Sequence, residues 1–300
     1  MAPLDYRWEH AVNSRALLAK VAEQVRNAKQ LQFATRDFVN AVEADIIWSD
    51  RQQLPVMGHP PAVDGEVTLE EFLREMLVLS QEFGTPDQFT AETTDGNVWT
   101  APLIVKLDFK SMQAFRASND LLVAFIAAFP FARGIFINAD ILVGPANTDA
   151  IGFNADEFLS VANALSLIEN GAHRHKVVLS VGWTTSNSTS EETYRPYTDK
   201  MVDEMLRVLE PYRDMTVTFP LRATSVRESW AAVRRLLAPK NYSFTLWWAL
   251  SQMTDDDLEW LYSTLETPTV SSGGDANELG FAGRTFYDIL GFESFLQRRE

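Results

Sequence analysis

Two acidic residues interrupt an apolar segment of the chain at residues 39–48. They are Glu43 and Asp45, and residues two apart on a β-strand point to the same face. Two carboxylates on one face of an apolar strand repel each other and lose hydration, and a bound cation would relieve both costs. A loop rich in turn residues follows, and it contains His59. This strand and its loop therefore offer two oxygen ligands for a metal and one titratable imidazole.

More polar side chains fall at the ends of the other apolar segments. His10 and Asn13 end the first segment, and the third reads Lys106-Leu107-Asp108-Phe109-Lys110, so its polar residues share a face. Asn13 and Lys106 are candidates for substrate contacts, as are four residues near the ends of later segments: Asn138, Trp183, Arg222 and Trp247. Taken singly, each of these residues is better explained by a structural role. The occurrence of this many acids, histidines and lysines at successive strand ends nevertheless favours a functional site.

Together these residues predict metal-assisted phosphate chemistry. Glu43, Asp45 and Asp108 provide three hard oxygen ligands, and Mg²⁺ is the expected ion, with Ca²⁺ and Mn²⁺ as alternatives. His10 and His59 are suited to general acid and base catalysis on a phosphodiester. The cations Lys110, Lys106 and Arg222 would neutralise phosphate charge.

The elements that must position these residues alternate regularly. Apolar, β-branched segments predict eight strands, at residues 6–12, 39–48, 103–109, 134–142, 176–183, 215–221, 242–249 and 284–289. Helical periodicity predicts seven helices between them, at residues 15–29, 69–83, 112–129, 154–169, 198–212, 225–237 and 254–265. Ser14 and the box Thr68-Leu69-Glu70-Glu71 are N-terminal helix signals, as are 154–157 and 225–228. Residues 84–102 read as a polar insertion loop.

This alternation predicts a parallel sheet with crossover helices. Eight such units in 300 residues fit a single (β/α)8 TIM barrel spanning 1–300, and a doubly wound open sheet is the second choice. No glycine-rich nucleotide-binding loop follows the first strand, which weakens that second choice. In a barrel, the polar residues at the strand ends would meet at the C-terminal face.

Composition excludes several classes of function. The net charge of −15 disfavours binding to duplex nucleic acid, which needs a basic face. The absence of cysteine excludes disulfides, thiolate metal sites and a cysteine nucleophile. No apolar run is long enough to span a membrane, and the first residues lack the features of a signal peptide. A cytoplasmic location is the expectation.

Four histidines are present in the sequence. Two of them, His173 and His175, lie in a polar loop and are interpreted as surface residues.

At these positions the chain resembles the menorin family. The motifs that carry the resemblance, from residue 6 to about 290, are His10-Ala11-Val12-Asn13-Ser14, Val42-Glu43-Ala44-Asp45, Gly58-His59-Pro60-Pro61, Lys106-Leu107-Asp108-Phe109-Lys110, Asn138-Ala139-Asp140-Ile141-Leu142, Gly182-Trp183-Thr184-Thr185, Thr218-Phe219-Pro220-Leu221-Arg222 and Thr245-Leu246-Trp247. That family is similar to the barrel phosphodiesterases of the phospholipase C type, which include glycerophosphodiester phosphodiesterases, phosphatidylinositol phospholipase C and sphingomyelinase D.

The resemblance implies roles for particular residues. In those enzymes a histidine ends strand one, an E-x-D pair ends strand two, a second histidine follows, and sphingomyelinase D-like enzymes add D-x-K on strand three. The corresponding residues here are His10, Glu43, Asp45, His59, Asp108 and Lys110. The resemblance also implies attack on phosphorus by a neighbouring hydroxyl of the substrate, through a cyclic phosphate.

The sequence thus predicts a divalent-metal-dependent phosphodiesterase. Its small substrate would carry a hydroxyl beside the diester, as in a glycerophosphodiester, a lysophospholipid, or an RNA end or 2′,3′-cyclic phosphate. One alternative is a barrel that binds a ligand or partner without turnover. Another is a metal-dependent lyase or aldolase with Lys106 or Lys110 as a Schiff base.

Overall fold

The structure is a computed structural model that describes residues 2–33, 38–84, 101–145, 153–185, 196–266 and 280–299. Within these ranges nine strands form one sheet: β1 (Trp8–Glu9), β2 (Ala41–Ser49), β3 (Leu54–Met57), β4 (Ile104–Phe109), β5 (Ile135–Leu142), β6 (Val177–Trp183), β7 (Val217–Arg222), β8 (Tyr242–Trp248) and β9 (Thr285–Ile289). The helices of the same ranges are α1 (Arg15–Gln30), α2 (Leu69–Glu82), α3 (Met112–Ala117), α4 (Asn119–Ala128), α5 (Ala155–Ser166), the distorted turn α6 (Ile168–Gly171), α7 (Asp199–Leu209), α8 (Ala223–Val233), α9 (Asp255–Glu266) and α10 (Phe292–Arg299).

Eight strands follow one another in parallel, in the order β1-β2-β4-β5-β6-β7-β8-β9, with helices between most of them. The two ends of this sheet meet. The ring centroids of Trp8 in β1 and Phe286 in β9 lie 6.3 Å apart, and His10 contacts Asp288. The sheet therefore curls into the nearly closed (β/α)8 barrel that the sequence predicts.

Alternation along the strands divides the barrel interior into an apolar end and a polar end. Phe136, Asn138 and Asp140 share one face of β5, and Phe286 and Asp288 share one face of β9. At the N-terminal end the rings of Trp8, Phe136 and Phe286 pack edge to face, with centroids 5.4–6.4 Å apart. The charged and polar side chains follow at the C-terminal end, where the sequence places the site.

Three helix starts agree with the predicted capping signals. At α5, the Asn154 side-chain oxygen accepts a hydrogen bond from the backbone N–H of Glu157. The Ser14 hydroxyl accepts a hydrogen bond from the backbone N–H of Leu17 at the start of α1. At α2, the Thr68 hydroxyl accepts from the N–H of Glu71, and the Glu71 carboxylate accepts from the N–H of Thr68. This reciprocal pair satisfies two donors that the first turn of a helix leaves open.

Two differences from the prediction concern strands. The first strand is paired only over Trp8–Glu9, because Ala11 adopts a left-handed conformation (φ 55°) that ends the extended segment predicted through residue 12. The loop predicted after the second strand contains β3, which pairs antiparallel with β2 from Ser49↔Leu54 to Ile46↔Met57. The turn between them has Gln53 at φ 57°, and β3 extends the sheet beside β2.

Other differences concern helices. α8 begins at Ala223, directly after β7, and not at the predicted Ser225 cap, since Ser225 is already a buried residue inside the helix. The helix predicted at 112–129 is divided at Ser118, whose hydroxyl donates to the carbonyl of Ala114. α10, which follows the last strand, was not predicted.

The predicted insertion loop at 84–102 lies mostly outside the described residues. Within the described residues, no helix has the length and apolar character needed to cross a membrane.

Candidate active site

A cavity of about 330 Å³ opens at the C-terminal ends of the barrel strands. Nearly all of its lining residues come from strand ends or from the segments that directly follow them. Of the residues singled out in the sequence, the cavity is lined by His10, Glu43, Asp45, His59, Lys106, Asp108, Lys110, Asn138 and Trp247. The structure thus brings nine of the twelve predicted site residues into one concave surface.

Three carboxylates of the cavity converge. Glu43 and Asp45 project from β2 on one face, and Asp108 of β4 is the register partner of Asp45. One oxygen from each of the three lies within 4.8 Å of the other two. Glu43 is 1% and Asp45 3% exposed, so two of these acids are almost completely removed from water. Such a set of oxygens is the kind that binds Mg²⁺ or Ca²⁺.

The segment after β1 fixes two of these carboxylates. The left-handed backbone at Ala11 turns its N–H to donate to Glu43 Oε2 at 2.7 Å. The Asn13 side chain donates from Nδ2 to Asp45 Oδ2 (2.7 Å) and accepts from the backbone N–H of Asp45 at Oδ1 (2.9 Å). Asn13 therefore holds a carboxylate in place and is outside the cavity lining, so its predicted substrate contact stays a prediction.

Lys110 connects the acids of β2 and β4. Its Nζ lies 2.8 Å from Asp45 Oδ1 and 2.8 Å from Asp108 Oδ2. Burial alone would lower the pKa of Lys110, but the charges of Asp108, Asp45 and Glu43 raise it well above the ordinary value. The same lysine, with Lys106, lowers the pKa of Asp108 against the opposing effect of burial. A lysine held as an ammonium in this way is unsuited to form a Schiff base.

His10 is oriented by an acid from the last strand. Its Nδ1 lies 2.7 Å from Asp288 Oδ2 and 3.5 Å from Glu43 Oε2. Burial opposes the charged imidazolium, but the carboxylates of Asp288 and Glu43 outweigh it and raise the pKa of His10 to about 10. Because an ionised carboxylate only accepts hydrogen bonds, Nδ1 carries a proton and Nε2 is the atom left for exchange.

His59 reaches the cavity through the β2–β3 hairpin. The N–H of Gly58 donates to the carbonyl of Asp45 (2.9 Å), which ties the end of the hairpin to the metal-ligand candidate. His59 is exposed at the rim, and its Nδ1 donates to the carbonyl oxygen of Pro60 at 2.6 Å. As in His10, this bond leaves Nε2 as the nitrogen that can exchange a proton.

Two buried polar residues lie beside the carboxylates, since Lys106 is the register partner of Glu43 and Asn138 that of Asp108. Lys106 is 3% and Asn138 2% exposed, and both line the cavity. The Ser180 hydroxyl donates to Asn138 Oδ1 at 2.5 Å, and Asn138 hydrogen-bonds Asp108. These contacts fix the side chain of Asn138 against the candidate metal ligand. Trp247 lines the opposite wall and is half-buried.

Two predicted substrate contacts lie elsewhere in the described structure. The Trp183 side chain is 1% exposed and packs with Tyr197 and Phe219, outside the cavity lining. The Arg222 guanidinium lies over the Trp248 ring, 4.5 Å from its centroid, and donates from Nε to Thr224 Oγ1. Strand alternation explains Trp183, since its neighbour Gly182 faces the barrel interior and Trp183 must face the helices.

Two acids of the site were missed as site residues. Asp140 lines the cavity two residues after Asn138, and burial and the charge of Asp108 raise its pKa to about 7. A Cβ at Gly182 would lie 2.8 Å from Asp140 Oδ1, so the glycine makes room for this carboxylate. Asp288 is the partner of His10. The available signal was an acid inside an apolar strand, a weaker signal than the pair of acids that identified Glu43 and Asp45.

The balance of charge fits a divalent cation. The carboxyl groups in the cavity or bonded to His10 are Glu43, Asp45, Asp108, Asp140 and Asp288. Their cationic neighbours among the described residues are Lys106, Lys110 and protonated His10. With all five carboxyl groups ionised, the site therefore has, apart from His59, two more negative than positive charges. Burial and the charges of neighbouring acids raise the pKa of Glu43, as expected where carboxylates lack sufficient cations.

Comparisons with known proteins identify a family. The model of the Menorin N-terminal domain matches residues 4–270. Protein FAM151B of Homo sapiens is 30% identical over 248 residues, which cover 81% of this chain and 72% of that protein. Two crystal structures also match: a glycerophosphodiester phosphodiesterase from Thermotoga maritima (13% identity, TM-score 0.37, 92% of each chain) and a putative one from Galdieria sulphuraria (11%, TM-score 0.38, 79% of this chain and 82% of that one). The family match ends before β9, which carries Asp288.

Proposed function

The chain belongs to the menorin family, and from that premise and the geometry of the cavity we propose that it is a divalent-metal-dependent phosphodiesterase. One observation carries the proposal: three carboxylates with oxygens within 4.8 Å of one another share a cavity with two histidines and a lysine. The volume of about 330 Å³ is at the small end for ligand sites and suits a diester of headgroup size.

Glu43, Asp45 and Asp108 are the residues that would hold the cation. A divalent ion there supplies Lewis-acid stabilisation of the negative charge that develops on phosphate oxygens. The remaining acid of the cavity, Asp140, adds to the negative potential that attracts the ion. Asn13 and the backbone N–H of Ala11 keep two of the ligands oriented before the ion binds, which reduces the reorganisation that binding requires.

The two histidines exchange protons with the substrate. A hydroxyl beside the diester attacks phosphorus, one histidine takes its proton, and the other protonates the oxygen that leaves. Both use Nε2, since Nδ1 of His10 is engaged by Asp288 and Nδ1 of His59 by the Pro60 carbonyl. The P–O bond to the leaving group breaks as the bond to the attacking oxygen forms, and a cyclic phosphate results.

Lysines and an aromatic ring complete the substrate contacts. The ammonium groups of Lys110 and Lys106 lie on the same side of the cavity as the carboxylates and stabilise the anionic phosphate. Trp247, on the opposite wall, packs against the organic part of the diester. The two ammonium groups thereby neutralise the charge of the bound phosphate before any chemical step.

Turnover of a panel of glycerophosphodiesters, lysophospholipids and 2′,3′-cyclic nucleotides tests the proposal. Each substrate is assayed with Mg²⁺, Mn²⁺, Ca²⁺ or EDTA. We expect turnover that requires a divalent ion and falls by about 10²–10⁴ in His10→Ala and in His59→Ala, the usual contribution of acid–base catalysis.

The matched control is His173→Ala. This histidine pairs with Glu169 outside the cavity, so its removal tests for general effects of losing an imidazole. Turnover in EDTA equal to that in Mg²⁺, or wild-type rates in both cavity variants, would refute the assignment. A lack of turnover on the whole panel would favour a barrel that binds a ligand without reaction.

A further inference from the structure

The segment that carries His59 is a loop whose two ends meet. This histidine loop spans residues 58–65 and directly follows β3. A Cβ at Gly65 would overlap the carbonyl oxygen of Met57, so the glycine lets the returning chain lie against the end of β3. The N–H of Met57 donates to the carbonyl of Val67 at 2.8 Å. The loop is therefore closed at its base.

The tip of the histidine loop has few contacts of its own. Residues 59–63 are all exposed, and within them the N–H of Ala62 donates to the carbonyl of His59 at 3.0 Å. In the described part of the chain, no hydrogen bond joins this tip to the barrel. His10, in contrast, is held by the carboxylate of Asp288. The position of the His59 imidazole therefore depends on how firmly the two ends of its loop are held.

Asp64 anchors the returning end of the loop to the turn between β2 and β3. Its Oδ1 accepts from the Ser49 hydroxyl at 2.7 Å and from Gln52 Nε2 at 2.6 Å, and its Oδ2 accepts from Arg51 Nε. Gln52 Nε2 also donates to the carbonyl of Gly65 at 2.8 Å. The hydrogen bond from Arg51, followed by those from Ser49 and Gln52, holds the pKa of Asp64 well below its ordinary value.

Both ends of the histidine loop are tied to the strand that carries two candidate metal ligands. At the start of the loop, the N–H of Gly58 donates to the carbonyl of Asp45 at 2.9 Å. At its end, Asp64 is bound to Ser49, which is the last residue of β2 and is completely buried. The imidazole is thus placed relative to Glu43 and Asp45 by two anchors on one strand.

From this geometry we propose that Asp64 is a positioning residue, which fixes the His59 imidazole relative to the candidate metal ligands by holding the loop against the end of β2. The proposal rests on the proposed function for the catalytic role of His59. A displacement of about 1 Å in a reacting group can cost about 100-fold in rate. We expect Asp64→Ala to lower kcat and kcat/KM equally, by about 10–100-fold, because proton transfer occurs only in the transition state.

A double-mutant cycle separates positioning of His59 from a general effect on the fold. If Asp64 acts through His59, Asp64→Ala should cause no further loss of rate in a protein that already carries His59→Ala. An equal loss in both backgrounds would overturn the proposal. Asp64→Asn is a second variant that keeps Oδ1 as an acceptor and removes the negative charge that Arg51 contacts, and its rate should lie between those of the wild type and Asp64→Ala.

NMR relaxation in metal-free protein tests the same contact without turnover. In Asp64→Ala the backbone order parameter of His59 should fall from about 0.85, which is typical of a rigid backbone, to below about 0.6, while that of His10 stays unchanged. A rigid His59 in this variant would overturn the positioning role whatever the activity. Failure of the proposed function would instead show as wild-type protein that turns over no substrate of the panel, and the relaxation result would stand apart from it.

The matched control is Asp50→Ala. Asp50 is an exposed aspartate of the same turn, and it accepts a hydrogen bond from Trp48 Nε1 at 2.9 Å rather than from groups that hold the histidine loop. We expect this variant to keep the wild-type kcat and a rigid His59. If Asp50→Ala lost as much rate as Asp64→Ala, the effect would come from loosening of the turn, and the assignment to Asp64 would be wrong.

Discussion

Lys110→Met separates the electrostatic role of the bridging lysine from its role in catalysis. The substitution preserves the length of the side chain but removes the ammonium that lies 2.8 Å from both Asp45 and Asp108. In metal-free protein two of the three converging carboxylates, Asp45 and Asp108, then lose their nearest cation. We expect a less stable protein that binds divalent ions more tightly.

The size of the effect follows from the burial of the partners. Removing one member of a buried ion pair costs about 3–5 kcal/mol, and the lower value applies because the Lys110 side chain is 20% exposed. The entropy of unfolding is about 2.1 cal/mol/K per residue. For 300 residues, a loss of about 3 kcal/mol therefore lowers the melting temperature by about 5 °C.

Thermal unfolding with EDTA and with increasing Mg²⁺ measures both parts of this prediction. Relative to EDTA, Mg²⁺ should stabilise the variant by about 2.7 kcal/mol once its concentration reaches 100 times the Kd of the variant, and it should stabilise the wild type by less at the same concentration. The control, Lys29→Met, removes an exposed lysine that pairs with Glu82, and we expect less than about 0.5 kcal/mol. If Lys110→Met melted like this control, or if Mg²⁺ stabilised it no more than the wild type, the proposed competition between lysine and metal would be wrong.

Three further predictions concern other parts of the site. Asp288→Asn should lower the pKa of His10 from about 10 in metal-free protein, because it removes the nearest negative charge, and NMR titration of the imidazole measures this. Asn13→Ala should weaken Mg²⁺ binding by about 10–100-fold, measured by calorimetry, since a group that orients a metal ligand is lost; unchanged affinity would contradict that role. Trp247→Ala should raise KM on the active substrate, whereas Trp183→Phe should leave KM unchanged; the opposite result would restore the substrate contact predicted for Trp183.

Most of the fold could be predicted from the sequence because the barrel repeats one pattern. Each buried strand is a short apolar run and each helix has a 3.6-residue period, so all eight parallel strands were found within a few residues. The hairpin strand Leu54–Met57 was missed because it is only four residues long and contains a proline, which is typical of a loop. The left-handed turn at Ala11 has no sequence signal, since alanine rarely adopts it.

The candidate site was predictable where a strand carried an unusual residue on its inner face. Alternation correctly grouped Glu43 with Asp45 and Lys106 with Asp108, and the register of β2 with β4 then brought them together. The sequence could not show which distant segments come into contact. The partner of His10 is 278 residues away, and only the closure of the barrel brings Asp288 next to it.

The apolar end of the barrel explains why the polar end favours a cation. The rings of Trp8, Phe136 and Phe286 pack against one another in the interior at the N-terminal end, so that side of the acids is lined by apolar groups. Glu43 is therefore desolvated, and its pKa is raised, although it accepts a hydrogen bond from the backbone N–H of Ala11. Removing one of these rings should let water reach the acids and reduce the free energy that they gain from binding a cation. We predict that Phe136→Ala weakens Mg²⁺ binding relative to Phe129→Ala, which removes the same buried ring from the helix-packed exterior. Calorimetry on the two folded variants measures the difference, and equal affinities would show that the aromatic layer stabilises the barrel without influencing the site.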